Sequence, residues 1–398
     1  RGGRVMIYLD HNATTPVDPR VFEAMKPYLT EKYENPSSIY RAGQDVSKAV
    51  NDARDALAGL LGARPGEVYF TSGGTESDNT AIKGVALNRG SGHIITSSIE
   101  HPAVIEVVKW LEKRGFTATY VGVDSDGIID PEEVRDAITD ETIIVSVMHA
   151  NNEVGTLQPI EKIAEIAHEK GVLFHTDAVQ TTGKIEIDVG AMGIDLLSLS
   201  AHKFYGPKGV GALYVRRGVK FDPCVHGGHQ ERGVRGGTEN VAGVIGLGRA
   251  AGIAAAEMDG ESVRVRKLRD KLEGGLAAGI SDLRFNGHRE KRMFNTASVI
   301  VKYVEGEAML LKLDYHGIAA SSGSACTSGS LDPSHVLLAM GIPAPIAHGS
   351  LRFSLGRATT EEGVDKVIEV LPPIVEELRA MSAFPRDGSE EGRACGNA

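Results

Sequence analysis

Short apolar runs recur along the chain, separated by stretches in which apolar residues return every three or four positions. The runs Val68-Tyr69-Phe70, His93-Ile94-Ile95-Thr96, 117–121, 143–148, Val172-Leu173-Phe174, and the two within 196–215 read as buried strands. Met6-Ile7-Tyr8-Leu9 is a further short extended piece. Between them the helical period predicts helices over 43–61 and 160–170, and one starting at Pro131. Asp18-Pro19 opens another, with Val21, Met25 and Leu29 on one side. Continuous apolar strands alternating with amphipathic helices define an α/β fold with a mainly parallel sheet.

After Val241 the pattern changes. Ala, Glu, Arg and Leu dominate to about Ile280, predicting one or two long helices that lead to a smaller α+β region. That region holds Val299-Ile300-Val301, a helix over 306–313 and Leu351-Arg352-Phe353-Ser354. The expected organisation is a large α/β domain over 14–258 and a small α+β domain over 259–384, joined by the N-terminal segment 5–13. The polar tail 385–398 is expected to be disordered.

Parallel sheets bind ligands beyond the carboxyl ends of their strands. His101, Asn152, Asp177 and Lys203 each stand just past an apolar run. Lys203, beside His202 and at the mouth of a buried strand, is poorly solvated, which lowers an amine's pKa and makes it a nucleophile toward carbonyls. A lysine snorkelling from a strand end is the plainer alternative. Thr71-Ser72-Gly73-Gly74-Thr75-Glu76 joins a strand to a helix start through glycines, an arrangement that offers free backbone N–H groups to an anion. It matches neither the Walker A nor the dinucleotide fingerprint.

Composition narrows the choice. Of the 398 residues 41% are hydrophobic and 24% charged, as in ordinary globular proteins, and the net charge of -10 argues against a general binder of nucleic acid or anionic membrane. No apolar run reads as long enough to cross a bilayer. Cys224, Cys326 and Cys395 form neither a disulfide framework nor a zinc spacing, so no metal and a reducing, cytoplasmic compartment are expected. A lysine amine, a strand-end carboxylate and an anion cup together suit pyridoxal phosphate, with Asp177 against the pyridine nitrogen.

The motifs TSGGTESDN, EHPAV, MHANNEVGT, HTDAVQ, SAHKFYGPKGVGALYVRRG, RGGTEN, SSGSACTSG and LRFSLGR, in this order, resemble those of cysteine desulfurases of the NifS/IscS type. These belong to the fold-type I, class V aminotransferase-like group of pyridoxal-phosphate enzymes. The resemblance implies Lys203 as the Schiff-base lysine, Asp177 as its ring-nitrogen partner and Gln180 near the ring hydroxyl. It implies Gly74, Thr75, Ser200 and His202 as phosphate ligands, with Thr238 supplied across a homodimer interface to a shared active site. His101 matches a ring-stacking, proton-moving histidine, and Asn152 and Arg352 match groups that hold the substrate. Tyr40 stands where relatives commonly carry histidine. Cys326, in a polar loop of small residues, has the setting of an exposed, mobile thiol. The resemblance makes it the nucleophile that takes sulfur from L-cysteine, leaves L-alanine, and passes persulfide sulfur to an iron–sulfur scaffold protein or other acceptor. A selenocysteine lyase, an aminotransferase on the same fold, and a non-catalytic platform for scaffold proteins are the alternatives.

Overall fold

The computed structural model describes residues 6–322 and 333–381; Cys326, Cys395 and the tail lie outside them. Its strands are β1 (Ile7–Tyr8), β2 (Val68–Thr71), β3 (His93–Ser97), β4 (Thr117–Val121), β5 (Thr142–Ser146), β6 (Leu173–Asp177), β7 (Leu196–Ser200), β8 (Gly211–Val215), β9 (Leu283–Phe285), β10 (Thr296–Val301), β11 (Ile318–Ala319) and β12 (Ser350–Ser354). The helices are α1 (Pro19–Met25), α2 (Pro27–Thr30), α3 (Arg41–Leu61), α4 (Gly74–Arg89), α5 (Pro102–Glu112), α6 (Pro131–Ala137), α7 (Ile160–Glu169), α8 (Val241–Gly279), α9 (Gly306–Tyr315), α10 (His335–Ala339), α11 (Ala344–Ala347) and α12 (Glu361–Met381).

Seven strands make the expected mainly parallel sheet, in the order β2-β8-β7-β6-β5-β3-β4, with β8 antiparallel to both neighbours. Its strands are apolar on both faces because both are covered. Alternate residues go to opposite layers. Val145, Phe174 and Leu197 pack with Leu57, Ile163 and Leu247 from α3, α7 and α8. Ile144, Leu196 and Leu213 pack with Ile82, Val104 and Leu111 from α4 and α5. A second, antiparallel sheet has the order β12-β10-β9, and β1 pairs in parallel with β11. The start of the chain therefore lies against its C-terminal part, with Asp10 bridging to Ser354.

Two expectations are corrected. Pro27 has no N–H to donate, so the first predicted helix is broken into α1 and α2; Val21 is buried, but Leu29 is 58% exposed. The segment from Val241 to Gly279 is one helix of 39 residues, about 58 Å long at 1.5 Å per residue. It is also long and apolar enough over 18 residues to cross a membrane, contrary to the sequence reading. Here that apolar length is core. Val244, Leu247 and Ala251 pack under the large sheet, and Val265, Leu272 and Leu276 pack in a second core with Val299, Phe353 and Leu371.

Candidate active site

Beyond the carboxyl ends of β2, β3 and β5–β7 lies a cavity of about 150 Å³. Gly74, Thr75, His101, Asn152, Asp177, Gln180, Ser200, His202 and Lys203 all line it, together with Asp78, Met148, Ala150 and Val179. Gly74, Thr75 and Asp78 come from α4, and the others from strand ends or the loops that follow them. Asp177 ends β6, Ser200 ends the adjacent β7, and one tight turn carries His202 and Lys203 onto the wall.

The N-terminus of α4 forms one end. Gly73 precedes it without a side-chain cap, so the first N–H groups are not taken by a capping side chain. A Cβ on Gly74 would stand 2.7 Å from Val179 Cγ2, so the backbone meets the cavity with no room for a side chain. His202 Nδ1 lies 3.0 Å from Thr14 Oγ1. Burial, Lys203, Lys208 and Lys184 push its pKa down to about 4, leaving a neutral ring. If Thr14 donates to Nδ1, the ring proton sits on Nε2, a donor for an anion.

Asp177 Oδ1 accepts the Val179 N–H at 2.8 Å. Burial raises its pKa, against the opposing pull of His101 and Lys203. Burial lowers His101 in turn, and its Nδ1 accepts the Ala103 N–H at 3.1 Å, so the neutral ring carries its proton on Nε2. Lys203 Nζ donates to the carbonyls of Asn12 at 2.6 Å and Ala13 at 2.9 Å. Thr15 fixes that segment, donating through its N–H and Oγ1 to the His202 carbonyl at 2.9 and 3.0 Å.

Arg352 and Thr238 are not on the cavity wall. Arg352 is buried in β12, with Nη2 paired to Asp10 Oδ1 at 2.8 Å and Nη1 donating to the Asn152 carbonyl at 3.0 Å. Its Nε is buried without a partner. Thr238 is exposed. Cys326 lies outside the described residues.

Sequence reasoning did not single out Asp10, Asn12, Asp78, Glu100 or Lys184. Asp78 is fully buried on the wall, its Oδ1 without a hydrogen bond and 3.7 Å from His175 Nε2, and its pKa is raised, first by burial and then by Asp177. The dense polar run 10–15 directly after a short strand was the one available signal for Asp10 and Asn12. Among the described residues no cluster could hold a metal ion. The donor set instead fits pyridoxal phosphate: an amine, a buried carboxylate and an anion cup on one cavity.

A lysine and a carboxylate on neighbouring strand ends of such a sheet suit a pyridoxal-phosphate enzyme, and the family described as Aminotransferase class-V matches residues 7–367. Among curated relatives, "Cysteine desulfurase IscS" of Methanosarcina thermophila is 56% identical, covering 94% of this chain and 93% of its own. "Cysteine desulfurase" of Nostoc sp. is 53% identical, covering 96% of each. A solved "NIFS-like protein" is 41% identical with a TM-score of 0.89, covering 94% of this chain and all of its own. A structure titled "SspA in complex with cysteine" is 38% identical with a TM-score of 0.79, covering 89% and 99%. The chain belongs to the class V aminotransferase family, in its cysteine desulfurase branch.

Proposed function

We propose that the chain is a cysteine desulfurase that binds pyridoxal phosphate in the cavity and converts L-cysteine to L-alanine. One observation carries the reading: Lys203 and Asp177 share a wall with the uncapped N-terminus of α4. Gly74, Thr75, Ser200 and His202 would hold the phosphate, Asp177 the ring nitrogen, Gln180 the ring hydroxyl and His101 the ring face. When bound, the cofactor supplies an electron sink for the substrate's α-carbon.

The chain's own groups do the rest. Arg352 and Asn152 orient the substrate carboxylate, with Asp10 as the anion that Arg352 holds in the meantime. Lys203 Nζ takes the α-proton, and the Nε2–H of His101 is the donor available to the substrate's sulfur. The sulfur of Cys326 attacks the substrate sulfur; an S–S bond forms as the carbon–sulfur bond breaks, and the remainder gains a proton and leaves as L-alanine. An iron–sulfur scaffold protein or another acceptor then takes the persulfide sulfur. The cytoplasm suits a carrier thiol that must stay reduced.

A homodimer with shared sites completes the reading. Thr238 is exposed and off its own cavity, and Phe22, Leu29, Tyr33, Ile39 and Tyr40 leave apolar surface uncovered near the start of the chain. Residues 14–258 then act as the cofactor-binding domain and 259–384, with segment 5–13, as the smaller one.

The test is a visible spectrum before and after L-cysteine, with alanine and sulfide measured under reductant. A band that changes on addition, with both products, is expected. Lys203→Ala should lose band and turnover; Cys326→Ser should keep the band and lose the protein persulfide. Absence of any band after incubation with pyridoxal phosphate sinks the reading.

A further inference from the structure

An amide beside the ring hydroxyl can offer it a donor or an acceptor. For Gln180 the choice is made on its far side. Its Oε1 accepts from Lys184 Nζ at 3.3 Å, and its Nε2 donates to the Asn12 carbonyl at 3.0 Å. A carbonyl can only accept and a lysine amine can donate in either protonation state, so one orientation of the amide satisfies both partners. One Nε2 hydrogen goes to Asn12. The other is left for the cavity that Gln180 lines.

Lys184 is built into its place. The N–H groups of Thr181 and Thr182 return to the Ala178 carbonyl at 3.1 and 2.9 Å, and that of Lys184 to Thr181 at 3.0 Å. Gly183 has φ +71°, and a Cβ there would stand 2.9 Å from the Phe204 ring, so the turn has no slack. Lys184 is 8% exposed, and among the described residues its amine's hydrogen bond goes to Gln180. It also borders a small cavity of about 20 Å³ with His11, Tyr205 and Glu261, where both His11 ring nitrogens are buried without partners. Burial, Lys203 and Arg352 push its pKa down to about 7, with Glu261 opposing. Burying an amine here is costly, and no step assigned to Lys203 uses it.

We propose that Lys184 is a positioning residue for the cofactor's ring oxygen, acting through Gln180. It pins the amide so that Nε2 donates to that oxygen, favouring its ionised form. The inference rests on the pyridoxal phosphate reading above.

Lys184→Met removes the donor with little change in side-chain length. Pyridoxal phosphate is titrated into the wild type, Lys184→Met, Gln180→Leu and the double variant, following the dissociation constant and the visible band. Lys184→Met is expected to bind about tenfold more weakly, the worth of one hydrogen bond to an ionised oxygen. Its band should move toward the shorter-wavelength form with a protonated ring oxygen. In the Gln180→Leu background the same substitution should change binding by no more than about twofold, because the coupling runs through that amide. Equal losses in both backgrounds, or an unmoved band in Lys184→Met, overturn the proposal. A wild type with no band overturns the reading beneath it as well. If the methionine protein does not fold, Lys184→Leu, which also lacks a donor, carries the same cycle.

Discussion

Glu100 is a buried acid that the fold keeps protonated. Its Oε1 accepts from Ser97 Oγ at 2.5 Å and from the Met148 N–H at 2.9 Å, while Oε2 is buried without a partner. Burial pushes its pKa up to about 8 from an ordinary 4.5. Between those values the folded chain holds a proton that the unfolded chain has lost, so stability falls as pH rises through this window. Glu100→Gln keeps an acceptor and removes the titration. Its melting temperature should match the wild type near pH 4 and exceed it by a margin that grows up to about pH 8. Arg352 makes a different prediction. Lysine cannot form its planar fork, so Arg352→Lys should raise KM for L-cysteine by about tenfold or more while leaving the cofactor band in place.

At the scale of elements, α4 is the sharpest test. Because a Cβ on Gly74 collides with Val179, Gly74→Val should weaken pyridoxal phosphate binding about tenfold, read by titration, with the far-ultraviolet circular dichroism unchanged. The elements themselves were largely legible. β5, β6 and β7 are buried on both faces and announce themselves as unbroken apolar runs, which also marks the strand-end positions of Asn152, Asp177 and Lys203. The break at Pro27 was legible in principle and masked by the spacing of Val21, Met25 and Leu29. What no local pattern could reveal is contact across the chain. Asn12 supplies a carbonyl to a lysine 191 positions on, and Asp10 neutralises an arginine 342 positions on. Lys184 is silent in the sequence for the same reason: its role depends on which face of Gln180 meets the cavity.

On the scale of the whole molecule, an ionic clamp ties the loop after β12 to the start of α1, to α8 and to the loop between β7 and β8. Arg357 Nη1 pairs with Asp18 Oδ2 at 2.7 Å, its Nε with Glu261 at 2.9 Å, and its guanidinium lies over the Tyr205 ring. Tyr205 completes the clamp through its hydroxyl, which accepts the Arg357 N–H at 2.6 Å. The hydrogen bonds of Arg20, and the charges of Arg20 and Arg357, hold Asp18 down at about 2 against an ordinary 3.8. A depressed carboxylate contributes stability above its unfolded value and loses it as pH falls through the folded one. Asp18→Asn should therefore melt below the wild type at pH 7, and the gap should close between about pH 4 and about pH 2.

The pairing of Asp10 and Asn12 with Arg352 and Ser354 also has a consequence for biosynthesis. Residues 10–13 leave the ribosome early and carry the carbonyls that hold Lys203, yet their own anchors in β12 are translated 342 positions later. A nascent chain can lay down the large sheet with Lys203 and Asp177 already in it. Thr15 and Gln180 can already hold the early segment on that sheet, and the anchors in β12 are added to them only late in synthesis.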